Sequence, residues 1–423
     1  MCTINLKIVN VIILAVLLTG AAGCTSSKNK KSAEMKEKLD GYSKGSYGYD
    51  KAFFEAQNIG IIELKDDEDK AAVMLIPEYQ GRVMTSSAFG NNGSSFGWIN
   101  YDLIKSKIKN PQFNPYGGEE RFWIGPEGGP FSIYFEPGEE QTFKNWNVPP
   151  VIDTESFEIK EADNKHVVFE KVASLKNASG TEFNLDIKRK VSLLSSEELC
   201  ALLDIDVSQA FLDIVAFQSD NTVTNIGNNA WTKDKGLLSI WMLCMFNPSP
   251  TTTVFIPYKE DAEGTVVNDE YFGKVPADRL IAGNGIVYFK IDGKYRSKIG
   301  IPPNRAKNLC GSFDSEKNIL TLLWTSLPSK QEEYVNSKWG HQDNPYAGDA
   351  INSYNDGPVE DGSIMGPFYE IETSSPAAAL APGESITHTQ RVVHIQGNIE
   401  ELAKLVNKLF SLNLYTVESK FKQ

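Results

Sequence analysis

Three segments of the chain concentrate carboxylates, arginines and aromatic rings of the kind that bind polar ligands. The first is Gly117–Gly129, whose glycines allow its backbone to approach a ligand closely. Its charged, hydrogen-bonding and apolar side chains are Glu119, Glu120, Arg121, Trp123 and Glu127. Solvated charge in a turn-forming loop explains such a composition equally well, so this segment has to be weighed together with the other two.

The second and third segments lie toward the C-terminus. Trp339–Pro358 is long, polar and rich in aromatic residues, and it contains His341 and Asp356. A loop of this length is usually functional or disordered, and its rings favour order. Farther along, strand alternation places Glu370 and Glu372 on one face. Two carboxylates on one strand face are costly unless water or a ligand meets them, so the three segments together predict a shared cleft.

The signatures of several common enzyme classes are missing from the sequence. It has no His-Glu-x-x-His, paired Cys-x-x-Cys, P-loop or nucleophile-elbow motif, and its four histidines lack helical metal-ligand spacing. Zinc hydrolases, kinases and serine hydrolases are therefore disfavoured, and we expect neither metal nor cofactor. A net charge of −13 repels phosphate backbones, which argues against a nucleic-acid partner. The remaining carboxylates, arginines, amides and tryptophans suit a sugar site.

The N-terminal residues predict export and a lipid anchor. Residues 1–23 combine a lysine, an apolar run too short to span a bilayer and small residues before Cys24, as in a lipoprotein signal peptide. We expect acylation of Cys24, for example with palmitate, and a flexible polar tether over residues 24–44. The alternative is an ordinary secretory peptide with an incidental cysteine. Because the tether is Lys-rich and lacks an acidic run, we expect an outer-membrane protein that faces the periplasm rather than the cell surface.

The elements that must position these side chains are mainly strands. Alternating apolar runs recur from Ile59 to Gln396 with Gly, Pro, Asn and Asp between them, which predicts an all-β sandwich or barrel. Helix signals are few: a capping box at Ser195 and an amphipathic C-terminal helix after Asn398. We interpret residues 45–423 as one large domain.

Four motifs in order resemble the galactose mutarotase-like (aldose 1-epimerase-like) superfamily, and in particular a bacterial lipoprotein branch of it. They are Pro77–Met84, Gly117–Glu127, Val223–Gly227, and Glu370–Thr373 followed by Leu380-Ala-Pro-Gly-Glu384. The resemblance implies a two-sheet β-supersandwich with a few short helices, a C-terminal helix and a sugar-binding cleft.

The resemblance also implies roles for individual residues. Glu372 matches the family's catalytic base, while Asp356 or His341 would have to replace a family histidine that this chain lacks. The expected sugar-binding residues are Arg82, Glu119, Arg121, Trp123, Glu127, Asn225, Trp241 and Glu370. Three functions follow: a membrane-anchored protein of glycan utilisation that binds a mono- or oligosaccharide, an aldose 1-epimerase-type isomerase, or a structural envelope lipoprotein without ligand.

Overall fold

The computed structural model describes residue 39 and residues 41–208, 211–359 and 361–421. The predicted signal peptide, Cys24 and most of the predicted tether lie outside these residues. None of the helices in the described part is long and apolar enough to cross a membrane.

The described strands form three antiparallel sheets, and the prediction of an all-β fold is confirmed. In chain order the strands are β1 (Ile62–Lys65), β2 (Ala72–Ile76), β3 (Arg82–Ser87), β4 (Arg121–Gly125), β5 (Glu158–Ala162), β6 (His166–Lys176), β7 (Glu182–Leu193), β8 (Leu212–Asn225), β9 (Ser239–Phe246), β10 (Thr252–Pro257), β11 (Leu280–Gly283), β12 (Ile286–Lys290), β13 (Ser297–Ile301), β14 (Leu309–Asp314), β15 (Ile319–Thr325), β16 (Ile351–Asn355), β17 (Tyr369–Ser374) and β18 (Ser385–Gly397). The sheets have the orders β1-β2-β3, β11-β12-β10-β14-β15-β18-β8-β7-β6-β5 and β13-β16-β17-β9-β4.

The ten-stranded and five-stranded sheets pack face to face around the main core. Strand alternation turns Phe122, Cys244 and Ile371 of the five-stranded sheet toward that core, where all three are buried. Polar contacts also cross between the sheets, as where Thr373 of β17 meets His388 of β18 at 2.8 Å. Residues between these positions therefore project from the opposite face of the five-stranded sheet.

Short helices cover the edges and the outer face of this sandwich. They are α1 (Tyr47–Gln57), α2 (Tyr101–Ser106), α3 (Pro150–Asp153), α4 (Ser196–Leu203), α5 (Ile399–Phe410) and α6 (Leu414–Ser419), with 3₁₀ turns at Pro77–Tyr79 and Gly90–Asn92. The predicted capping box of Ser195 and Glu198 and the predicted Asn398 cap are both confirmed. Helix α5 packs its apolar stripe on the outer face of the ten-stranded sheet.

The segment interpreted as a long loop contains a strand, and so does the glycine-rich segment, for which a turn-forming loop was one alternative. The Arg121–Gly125 part of the glycine-rich segment is β4, and the long polar segment includes β16 at Ile351–Asn355. One face of each strand contributes to the lining of a cavity, through Arg121 and Trp123 of β4 and Tyr354 of β16.

Candidate functional site

The outward face of the five-stranded sheet brings together side chains from all five of its strands. Leu243 of β9 pairs with Arg121 of β4 on one side and with Glu372 of β17 on the other. Trp123 pairs with Trp241 in the same register. Residues separated by about 250 positions in the sequence therefore lie one strand apart at the floor of a single cavity.

Aromatic side chains from the surrounding loops wall this cavity, which has a volume of about 110 Å³. Trp146 and Trp339 stack at 6.0 Å between ring centroids, and Phe143 stacks on Trp146 at 5.9 Å. The rings around the cavity are those of Phe113, Trp123, Phe143, Trp146, Trp241, Phe272, Trp339, Tyr354 and Phe368. Flat apolar walls around a charged floor suit a ligand that has both apolar faces and polar edges.

Glu372 is held through one carboxylate oxygen only. Its Oε2 accepts hydrogen bonds from Lys298 Nζ at 2.8 Å and Trp241 Nε1 at 2.9 Å. Its Oε1 is buried and has no hydrogen-bond partner among the described residues. Burial alone would lower the pKa of Lys298, but the charges of Glu372 and Glu127 leave that pKa raised, so the ammonium keeps its proton. The result is a fixed carboxylate with one oxygen available to a ligand.

Arg121 and Glu370 form a second ion pair beside the first. Arg121 Nη2 donates to Glu370 Oε1, while Arg121 Nε and Nη1 are buried without partners in the described part of the chain. Burial raises the pKa of Glu370 to about 7, with Arg121 opposing the shift and Glu372 adding to it. The guanidinium therefore offers two N–H edges for which the described residues supply no acceptor.

Glu127 approaches the same cavity from the loop after β4. Its backbone N–H donates to Ser337 Oγ at 3.2 Å, and its side chain hydrogen-bonds Trp339. Burial raises the pKa of Glu127 to about 7, although Lys298 opposes the shift. At neutral pH, this carboxyl group is present in both protonation states.

The unpaired polar atoms of the floor define what the cavity can bind. Within the described part of the chain, donors on Arg121, Trp123 and Trp146 and an acceptor on Glu372 have no hydrogen-bond partner. A buried polar group without a partner is costly, so such a set marks a place where a ligand completes the hydrogen bonds. Among the described residues, no group of three or more His, Cys, Asp or Glu side chains is arranged to hold a metal ion.

Six of the predicted site residues line this cavity together, and five others lie elsewhere. The six are Arg121, Trp123, Glu127, Trp241, Glu370 and Glu372. His341 is on the surface with 89% of its side chain exposed, next to Asp343. Asp356 lies behind the cavity wall, where it accepts from Tyr354 Oη at 3.0 Å and the Gly366 N–H at 2.7 Å.

The remaining three predicted residues bind other parts of the protein. Arg82 donates to the Gly117 carbonyl and to Gln80. Glu119 accepts from Ser86 Oγ at 2.8 Å and contacts His394 Nε2 at 3.0 Å. The Asn225 side chain donates hydrogen bonds to the carbonyl oxygens of Asn229, in the turn after β8, and of Leu380. None of the three lines the cavity.

Sequence reasoning missed the two cations on the other side of the floor, Arg296 and Lys298. Lys298 is on β13 and pairs with Tyr354 of β16, so it faces the cavity beside Glu372. Its Nζ lies 4.8 Å from the centre of the Trp241 ring. Charged and uncharged residues alternate in Arg296-Ser-Lys298-Ile, and this alternation could have predicted a strand with one polar face. The strand is only five residues long, so the pattern was too short to be recognised.

Comparisons with known proteins give a family and several solved structures. No curated protein matches the chain. It is similar to a Synechocystis sp. protein (TM-score 0.49, 12% identity, 80% of this chain and 96% of that one). It is also similar to a galactose mutarotase-like protein from Lactobacillus casei (TM-score 0.43, 12% identity, 80% and 99%) and to a galactose mutarotase related enzyme from Lactobacillus acidophilus (TM-score 0.42, 8% identity, 80% and 97%). A family model matches residues 45–421, and the chain accordingly belongs to a family of unknown function (DUF6786).

Proposed function

We propose that this protein binds a carbohydrate in the cavity on the outward face of its five-stranded sheet. The observation that carries the proposal is the convergence of Arg121, Trp123, Trp241 and Glu372 inside aromatic walls. Atoms of Arg121, Trp123 and Glu372 there have no hydrogen-bond partner among the described residues. A pyranose offers apolar ring faces for stacking and hydroxyl edges for charged hydrogen bonds. Arg121 and Glu372 supply both a donor and an acceptor for such an edge.

Isothermal titration of the protein with a panel of mono- and oligosaccharides tests this proposal. We expect saturable binding of at least one sugar, together with protection of the cavity tryptophans from fluorescence quenching. Since Trp324 lies on the far side of the ten-stranded sheet, its Trp324→Ala variant serves as a control and should bind with unchanged Kd. If no sugar in the panel binds, the structural envelope role takes its place.

A second function, isomerisation at the anomeric carbon, is favoured by the geometry of Glu372. Lys298 and Trp241 orient one carboxylate oxygen, and the other is free to take a proton from a bound hydroxyl. Glu372→Gln preserves the shape but cannot accept that proton. It should retain sugar binding and abolish any acceleration of anomer interconversion measured by polarimetry.

We further propose that the protein acts at the outer membrane in glycan utilisation, facing the periplasm, with Cys24 as its lipid attachment point. The support is the lipoprotein-type sequence before Cys24 and the polar segment after it. Cys24→Ser should remove acylation and release the protein from membranes. Metabolic labelling with a fatty acid followed by fractionation measures both effects, and equal labelling of the variant would exclude the anchor.

A further inference from the structure

Glu127 differs from the other two carboxylates of the cavity in its surroundings. Glu370 and Glu372 each form an ion pair within the floor, with Arg121 and Lys298 respectively. Among the described residues, no ion pair within 4.0 Å involves Glu127. Its backbone and side chain are nevertheless fixed, through Ser337 and Trp339. A positioned carboxyl group without a counter-ion is suited to carry a proton rather than a charge.

Glu127 and Glu372 line the same cavity from different elements of the fold. Glu372 belongs to β17 in the middle of the sheet, whereas Glu127 belongs to the loop that follows β4 at the sheet edge. Lys298 interacts with both, and it is hydrogen-bonded to Glu372. A sugar ring in the cavity would therefore meet two carboxyl groups from different elements, of which Glu127 is partly protonated at neutral pH.

We propose that Glu127 is the proton donor that works with Glu372 in interconverting the anomers of a bound aldose. This inference rests on the proposed sugar site and adds a residue to the isomerase function. Opening a pyranose requires a base at the anomeric hydroxyl and an acid at the ring oxygen. Neither His341 nor Asp356 lines the cavity, so neither supplies the acid from the position that the structure gives it.

The reaction is balanced without any cofactor. Glu372 Oε1 takes the proton of the anomeric hydroxyl, and the released electron pair forms the carbonyl double bond. The bond between the anomeric carbon and the ring oxygen breaks, and that oxygen takes the proton of Glu127. The open-chain aldehyde rotates about its C1–C2 bond and closes on the other face by the reverse transfers. Both carboxyl groups then return to their starting protonation states.

Four groups facing Glu127 act on its protonation in opposite directions. They are Lys298 on β13, Glu372 on β17, Arg296 before β13 and Trp339 in the loop of residues 326–350. Burial and the charge of Glu372 raise the pKa of Glu127, and Lys298, Trp339 and Arg296 oppose this, which leaves it at about 7. Deprotonation of Glu127 should therefore slow the reaction as the pH rises through about 7.

The test uses the full-length protein in a sugar-free detergent, with glucose, galactose, mannose, xylose and glucuronate as probes. Exchange between anomers is measured by proton NMR from pH 5 to pH 9, and binding by titration. For a sugar that binds, we expect Glu127→Gln to lower the exchange rate at least 100-fold while changing Kd less than about threefold, because general acid catalysis contributes on the order of 10²–10⁴. The decrease of the wild-type exchange rate above about pH 7 should be absent from Glu127→Gln. Glu139→Gln, an exposed change in the same loop, should leave rate and profile unchanged.

The possible outcomes separate this inference from the proposed function. A sugar that binds without accelerated exchange overturns the proton donor and leaves the binding protein. Accelerated exchange with an unaltered rate and pH profile in Glu127→Gln overturns Glu127 alone. Absence of binding by every probe removes the sugar site and the inference together. Melting temperatures of the variants show whether each one is folded. Glu127→Asp keeps a shorter carboxylic acid, so it should exchange anomers more slowly than wild type and still lose activity as the pH rises. These two controls exclude loss of folding as the cause.

Discussion

Glu120 and Arg121 are adjacent in the chain, yet each forms a buried arginine–glutamate pair of a different kind. Glu120 points between the two large sheets and pairs with Arg189 at 2.6 Å. Arg121 points to the outward face and pairs with Glu370. The same two residue types therefore occur in two environments, one on each side of the five-stranded sheet.

The pair between the sheets is fully hydrogen-bonded. Glu120 Oε2 accepts from Ser219 Oγ at 2.8 Å and from Gln390 Nε2 at 2.7 Å. Arg189 donates further bonds to the Gly81 carbonyl at 3.1 Å and to Asn221 Oδ1 at 2.7 Å. This network satisfies its charges without a ligand, and both ends of the pair are completely buried.

The pair at the cavity is incomplete by comparison. Two nitrogens of Arg121 have no partner in the described structure, and neither does Oε1 of the neighbouring Glu372. A closed buried network holds a fold together, whereas an open one marks the place where a ligand supplies the missing bonds. The two sides of this sheet therefore differ in how completely their buried charges are hydrogen-bonded within the described structure.

The largest effect should come from breaking the closed pair. Arg189→Met leaves Glu120 buried without its counter-ion, which should lower the free energy of unfolding by about 3–5 kcal/mol. Arg121→Met should cost less, because Glu370 has a pKa of about 7 and can take up a proton. Urea denaturation at pH 6 measures both variants, and equal losses would contradict the distinction between the two pairs.

The second prediction concerns His388, which belongs to the interior on the side of the closed network. Burial lowers the pKa of His388 to about 4 from 6.5. Because the unfolded chain takes up this proton at a higher pH than the folded chain, stability is present above pH 6.5 and is lost as the pH falls toward 4. The loss amounts to about 3 kcal/mol at 1.36 kcal/mol per pKa unit. The difference in unfolding free energy between wild type and His388→Asn should follow this window, and a difference independent of pH would contradict it.

The third prediction removes an uncharged aromatic ring from the cavity side of the sheet. Trp123 is 4% exposed and lies edge-to-face against Trp241 at 5.7 Å. Trp123→Ala should weaken sugar binding by about 1–3 kcal/mol through lost stacking and apolar contact. Isothermal titration measures the change. Unchanged affinity in a folded variant would show that the Trp123 ring does not contact the sugar.

Prediction from the sequence succeeded for features that depend on neighbouring residues alone. Strand alternation correctly predicted that Glu370 and Glu372 share a face, and the cap residues Ser195 and Asn398 correctly predicted where two helices begin. The glycine-rich segment was predicted to contribute to a cleft, but the sequence did not show which of its side chains line the cavity and which face the interior. Glu119 and Arg121 look equivalent in the sequence, because only strand pairing shows which side of the sheet each one faces.

The same limit explains the residues that were missed or placed elsewhere. Lys298 reaches Glu372 through the order β13-β16-β17, and that adjacency depends on sheet topology instead of sequence distance. Arg82 is charged and follows a glycine in one of the family-like motifs, which made it a candidate binding residue. Its guanidinium instead donates a hydrogen bond to the Gly117 carbonyl oxygen in the interior. The motifs therefore included residues that line the cavity but did not distinguish them from neighbours that face the interior.

The smallest effect is expected for His341, which belongs to neither of the two buried charge networks. Its side chain is 89% exposed and its contact with Asp343 is 3.3 Å, so removing it leaves no buried group unpaired. His341→Ala should change the unfolding free energy by less than about 0.5 kcal/mol, as is usual for surface substitutions. Sugar affinity and any anomer exchange should also match wild type, because the ring lies outside the cavity. A variant that binds normally but loses exchange would show that the segment of residues 336–349 closes over bound sugar, and His341 would then replace Glu127 as the proton donor.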